Sequence, residues 1–232
     1  MIVVRQIRNK TCDKAIEYKE WIDKLCQKNE TCTNYYSSHK YCNDIKANLI
    51  LKQDGVCAYT EIELDDPSQF SDNDWTNGKY TGVAQFEGTL DHFDSSLKDK
   101  GRESWLWENF FFVHPRINTQ KNDAIVYGFL KPDEEDYSPE KYLDYDIDLH
   151  VYTVNNNITE VDMIKQVKYM IDNCLLLNFG FIERRRRKYL NRIFANYYAG
   201  IEKLEEIPAV DQFFTAFEYM KKKLDVSNKV NS

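Results

Sequence analysis

Asp91 and His92 are adjacent at the end of an apolar-alternating stretch, and Trp107-Glu108-Asn109-Phe110 leads on to Asn118-Thr119-Gln120-Lys121, just beyond His114-Pro115. A carboxylate followed at once by an imidazole lets one side chain hold a divalent cation while its neighbour deprotonates a water. An amide further along the chain can complete the metal site. That order of residue types is what phosphodiester hydrolysis with one metal ion requires. Each residue also has an ordinary reading, since Asp-His pairs occur in turns and caps and Asn109 and Asn118 suit turns.

The elements around these residues follow from periodicity and punctuation. Val83, Phe86 and Leu90 predict an extended stretch that delivers Asp91 and His92 to its end, and Phe110 to Val113 reads as a compact apolar strand. Pro115 suits the first turn of a helix, which would put Asn118 and Lys121 three residues apart on one face. Val56 to Ile62, bounded by Gly55 and a Pro67-containing acidic loop, predicts a strand or tight knuckle. Upstream, Thr11 is placed to cap a helix carrying Ile16, Trp21 and Leu25, and a second helix is expected over about 39–53 with Gly55 as its stop. Beyond Gly128 an acidic connector precedes helical stripes. These are Ile164, Val167, Met170, Ile171 and Cys174; Leu190, Ile193, Phe194, Tyr197 and Ile201; and Phe213, Phe214, Phe217, Met220 and Leu224. Such stripes are read as core. The expected fold is α+β and mostly helical, one compact unit with an N-terminal helical scaffold (1–54), a central region (55–127) and a C-terminal connector and helices (128–232).

The 232 residues carry a formal charge of -7, so the molecule as a whole repels nucleic acid and binding would need a local positive surface or a partner. The charge is bipolar: acids crowd 133–148, whereas Arg184, Arg185, Arg186, Arg187 and Lys188 form one basic block, read equally as structural pairing or phosphate contact. The six cysteines, at 12, 26, 32, 42, 57 and 174, form no C-x-x-C pair, which indicates free thiols in the cytoplasm. Met1 to Arg5 is too short for a signal segment and Leu175 to Leu177 cannot span a bilayer, so no membrane association is expected. Asn-x-Thr sequons at Asn9, Asn29 and Asn157 carry no weight without secretion.

Taken together, Cys57-Ala58-Tyr59-Thr60-Glu61, Leu90-Asp91-His92-Phe93, Trp107-Glu108-Asn109-Phe110 and the run from His114 to Lys121 resemble the HNH (His-Me finger) endonuclease motif, roughly C-x-Y-C, D/E-H-F, N-L and C-x-x-C-N-x-x-K in that order. Lys131-Pro132-Asp133, Tyr142-Leu143-Asp144-Tyr145 and Glu183-Arg184-Arg185-Arg186 extend the resemblance toward PtuB-like HNH proteins of the Septu and retron anti-phage systems, which work beside an ATPase. The similarity covers about residues 50 to 195.

The resemblance implies a ββα-metal core within the central region, flanked by the N- and C-terminal helices. It implies that His92 is the general base, that Asp91 and Asn118 hold one Mg²⁺ or Mn²⁺, and that Asn109 fixes the loop behind His92, while Lys121 and Arg116 are candidates for phosphate contact. At the four positions where relatives carry zinc-binding cysteines this chain has Cys57, Thr60, His114 and Ile117, so no structural zinc is expected. The implied function is metal-dependent cleavage of DNA, as the effector of a defence complex with an ATPase partner. Two alternatives stand beside it: a catalytically degenerate HNH fold kept as an interaction subunit, and a ribonuclease using the same site.

Overall fold

The computed structural model describes residues 7, 10–28, 33–83 and 85–231. Met1 to Arg5, the sequons at Asn9 and Asn29, and Cys32 lie outside the described residues, as does the side chain of Cys26. The described chain is mainly helical α+β, with seven helices and three two-stranded antiparallel sheets.

Helix α1 (Ile16–Lys28) buries Tyr18 and Ile22, with Ala15 buried just ahead of it. Thr11, expected as its cap, stands five residues before the first helical residue. The Asn48 side-chain oxygen accepts from the Lys14 and Ala15 amides at 2.9 and 3.1 Å, so the cap comes from the neighbouring helix. That neighbour, α2 (Cys42–Lys52), is buried on several sides, with Ile45, Ala47, Asn48, Leu49 and Ile50 inaccessible to solvent. Gly55 follows at φ +73°, where a side chain would run into the Asp65 carbonyl. The chain then turns through a knuckle closed by the Val56–Glu63 bridge and by Cys57 N–H donating to the Ile62 carbonyl.

After the small hairpin of β1 (Trp75–Thr76) and β2 (Lys79–Tyr80), the predicted long extended stretch does not form: Val83 is 98 % exposed and β3 begins only at Thr89. Strand β3 (Thr89–His92) pairs antiparallel with β4 (Phe110–Val113), with Asp91 opposite Phe111 and His92 opposite Phe110. The outer edge of β4 is closed by the buried Gln53 carboxamide, which accepts from the Phe112 amide at 2.9 Å and donates to the Phe112 carbonyl at 2.7 Å. Helix α3 (Pro115–Lys121) starts directly after β4, its N-terminus capped by His114 Nδ1 accepting from the Arg116 amide at 3.1 Å.

Strand residues alternate faces, and this hairpin is the wall between two hydrophobic cores. Leu90, Phe110 and Phe112 pack with α1, α2, Trp105 and Trp107 on one side. Phe93, Phe111, Val113 and Ile117 join the knuckle and the C-terminal half on the other. The three consecutive phenylalanines are inaccessible to solvent, and at about 1.5–3 kcal/mol for each buried side chain they anchor both cores.

The region expected as an acidic connector contains a third hairpin, β5 (Leu143–Asp146) with β6 (Val151–Val154). Helix α4 (Val161–Tyr169) runs into a π-helical turn over 170–174, then α5 (Gly180–Ile193), α6 (Ala195–Tyr198) and α7 (Phe214–Asn231) complete the chain. The stripe expected to reach Ile201 is interrupted at Phe194, and Ile201 is exposed. Among the described residues no helix is long and apolar enough to cross a membrane.

Candidate functional site

Helix α3 lies along β3 and is tied to it at two points one turn apart. Asn118 Nδ2 donates to the Leu90 carbonyl at 3.0 Å, and Lys121 Nζ donates to the His92 carbonyl at 2.7 Å. Between these anchors sits Asp91. One carboxylate oxygen accepts from the Tyr59 hydroxyl at 2.5 Å and lies 2.9 Å from Lys121 Nζ, and both side chains of that ion pair are wholly buried. The other oxygen, Oδ1, is buried with no hydrogen-bond partner. Tyr59 is the residue that sequence reasoning missed; it stands inside the Cys57 to Glu61 motif, and its spacing from Cys57 was the available signal.

Lys121, expected at a phosphate, is therefore the buried counter-ion of Asp91. Its long aliphatic stem lets the ammonium reach back under the helix. Arg116 remains on the surface, stacked over the Phe181 ring with 4.5 Å from guanidinium to centroid.

His92 follows Asp91 on the strand, so its ring points to the opposite face. It is 2 % exposed and packs against Tyr35 and Phe110, each with ring centroids 4.8 Å away. Nε2 is 2.8 Å from the Ser104 carbonyl oxygen. A carbonyl only accepts, so this contact puts the proton on Nε2 and leaves the lone pair on Nδ1, the tautomer a general base needs. Burial lowers the pKa of His92, against the opposing influence of the Ser104 contact and of Asp91, which keeps the ring neutral. Nothing in the residue type at 104 signals this role, because any residue supplies the carbonyl.

Asn109 holds the loop that follows. Its side-chain oxygen accepts from the Asp94 amide at 2.8 Å, its Nδ2 donates to the Asp94 carbonyl at 3.0 Å, and its own carbonyl accepts from the Phe93 amide at 2.8 Å. Both residues after His92 are thereby pinned to the start of β4, which sets the direction of the ring.

The donor set fits a single hard cation in one respect and is crowded in another. The buried, unpartnered Asp91 Oδ1 requires a positive or proton-donating neighbour, and Asn118, anchored through its nitrogen, keeps its amide oxygen available; both are hard donors of the kind Mg²⁺ and Mn²⁺ take. Lys121 already balances the Asp91 charge. Among the described residues no group of three or more His, Cys, Asp or Glu side chains gathers to hold a metal, so an ion here would draw its remaining ligands from water and substrate.

Three of the four knuckle positions are engaged otherwise. The Cys57 sulfur accepts from the His114 amide at 3.5 Å and burial raises its pKa; His114 Nδ1 is spent on the helix cap, and Ile117 lies in the core. Tyr59, Phe93 and Phe111 pack over this side of the hairpin. Elemental analysis of purified protein is expected to find less than half an equivalent of zinc; a stoichiometric amount would contradict the packing account of the knuckle.

Comparisons with family models, with curated proteins and with solved structures return no match for this chain.

Proposed function

We propose that the protein is a metal-dependent HNH endonuclease that hydrolyses phosphodiester bonds in DNA, with a ββα-metal core formed by β3, β4 and α3. The observation that carries this reading is the His92 arrangement: an imidazole held neutral, its Nε2 proton committed to the Ser104 carbonyl and the following loop clamped by Asn109. With Nε2 donating to the carbonyl, the neutral ring keeps a lone pair on Nδ1, which is what proton abstraction from water uses. Asp91 and Asn118 would hold one Mg²⁺ or Mn²⁺, and that ion when bound supplies charge stabilisation at the leaving oxygen. His92 Nδ1 takes the proton of the attacking water. Tyr59 and Lys121 fix the Asp91 carboxylate, and Arg116, exposed at the surface, would meet a phosphate.

The described arrangement is closed. Tyr35, whose backbone amide donates to the Ser104 hydroxyl at 2.8 Å, packs edge-on against the His92 ring and would have to give way to a substrate there. This agrees with an effector that is silent until its ATPase partner, implied by the resemblance, engages it in the cytoplasm. A second reading, an HNH-type fold kept as an interaction subunit, is favoured by one observation: the Asp91–Lys121 pair neutralises the carboxylate without any metal.

Parallel digestion of plasmid, single-stranded DNA and RNA with Mg²⁺ or Mn²⁺, with and without the partner, tests the proposal. DNA cleavage by the wild type is the expected result. Inert protein under every condition would sink it, and cleavage of RNA alone would transfer the same chemistry to a ribonuclease.

A further inference from the structure

The five-residue basic block does not act as a unit. Arg186 is buried, donating to the His150 and Leu177 carbonyls at 2.7 Å each and lying over the Tyr152 ring. Arg187 pairs with Glu183 and donates to the Leu149 carbonyl. Both are structural. Arg185 and Lys188 are exposed, and with Arg192 they fall three and seven residues apart along α5, on one face of the helix. Among the described residues none of these three cations has an ion-pair partner.

They line a cleft of about 530 Å³ whose other walls are Glu63, Tyr189 and Gln212. The Gln212 side-chain oxygen accepts from the Glu63 amide at 3.4 Å, which leaves its NH₂ free to donate. Tyr189 is held by its hydroxyl, donating to Asp211 at 2.6 Å. Three cations against Glu63 in the lining and Asp211 behind Tyr189 leave the cleft positive on a chain whose net charge is -7. A local field of that sign, against the global one, needs a reason, and an anionic ligand supplies it. At 1.5 Å rise per residue, Arg185 to Arg192 spans about 10.5 Å, long enough to meet more than one backbone phosphate of a nucleic-acid strand.

We propose that this cleft binds the backbone of a single nucleic-acid strand and guides it toward the hairpin site. The guiding role rests on the nuclease reading, but the binding does not. Arg116 over the Phe181 ring and His114, 4.8 Å from the same ring, bring the start of α3 against the first turn of α5, the helix that carries the three cations.

Fluorescence anisotropy of labelled dT20 and rU20 on the His92→Gln protein at low salt separates binding from cleavage. The triple variant Arg185→Gln/Lys188→Gln/Arg192→Gln is expected to bind about tenfold or more weakly, with the slope of log K against log salt shallower by about 2. The control removes the same charge elsewhere, as Lys19→Gln/Lys24→Gln/Lys165→Gln, and is expected to bind nearly as the parent does. Equal losses in the two triples, an unaffected cleft triple, or no binding by the parent would overturn the proposal. Inorganic phosphate competing at equal phosphate concentration as well as dT20 would also overturn it, since the cleft would then be a site for a small anion.

Discussion

Replacing Lys121 with methionine is expected to destabilise the fold by about 3–5 kcal/mol, the scale for removing one partner of a buried ion pair. Methionine fills most of the volume, so the loss reports charge rather than packing. What remains is an Asp91 carboxylate 1 % exposed, with the Tyr59 hydroxyl as its remaining hydrogen bond and Oδ1 unpartnered, and a His92 carbonyl without its donor. For a chain of this length such a loss lowers the melting temperature by on the order of 10 °C. Urea denaturation measures it directly. The double variant Lys121→Met/Asp91→Leu is expected to recover much of the stability, because no buried charge is then left alone. A single-variant loss below about 1 kcal/mol would show that Asp91 is charge-balanced by something else.

His92 is expected to matter for rate rather than for fold. Loss of a general base typically costs 10²–10⁴-fold, and His92→Gln is the informative variant because its NH₂ can still donate to the Ser104 carbonyl. His92→Ala would leave a cavity beside Tyr35 and Phe110, so its rate is to be compared only at matched folded fraction. The pH dependence has a definite sign. Burial lowers the folded-state pKa of His92 below its ordinary value of about 6.5, so the neutral base persists into mildly acidic solution and the acid limb of the cleavage rate lies below pH 6.5. The same shift makes the unfolded chain bind the proton more readily. The associated stability is fully present above about pH 6.5 and declines as pH falls from there toward the folded-state value. An acid limb centred above 6.5, or wild-type cleavage rates in His92→Gln, would remove His92 from the role of base.

Local pattern made much of the hairpin region readable. Four apolar residues at 110–113 followed by His114-Pro115 define a strand running into a helix, and Gly55 before a short apolar run marks the knuckle. The opposite orientation of Asp91 and His92 also follows from strand alternation once both are placed on β3. What could not be read depends on partners distant in sequence. Asn48 caps a helix 33 residues upstream, and Gln53 seals the edge of a strand 59 residues downstream. Lys121 turns inward because Asp91 waits there, not because of anything in its own helix. The β5–β6 hairpin was masked by composition: Asp144 and Asp146 disfavour a strand, yet Leu143 and Tyr145 alternate with them and are buried. In the basic block one residue type takes three different fates, set by helix position relative to β6 and the 211–213 segment.

The proposed function requires one hard cation held by Asp91 and Asn118, with His92 acting from the next position at the end of β3. Calorimetric titration of Mn²⁺ into the His92→Gln protein, alone and with a saturating oligonucleotide, tests it without turnover. One ion per chain is predicted in the presence of the oligonucleotide, with the heat abolished by Asp91→Asn and strongly reduced by Asn118→Ala. Binding that survives both substitutions, or no binding at all, would contradict the account and leave the fold as an interaction subunit.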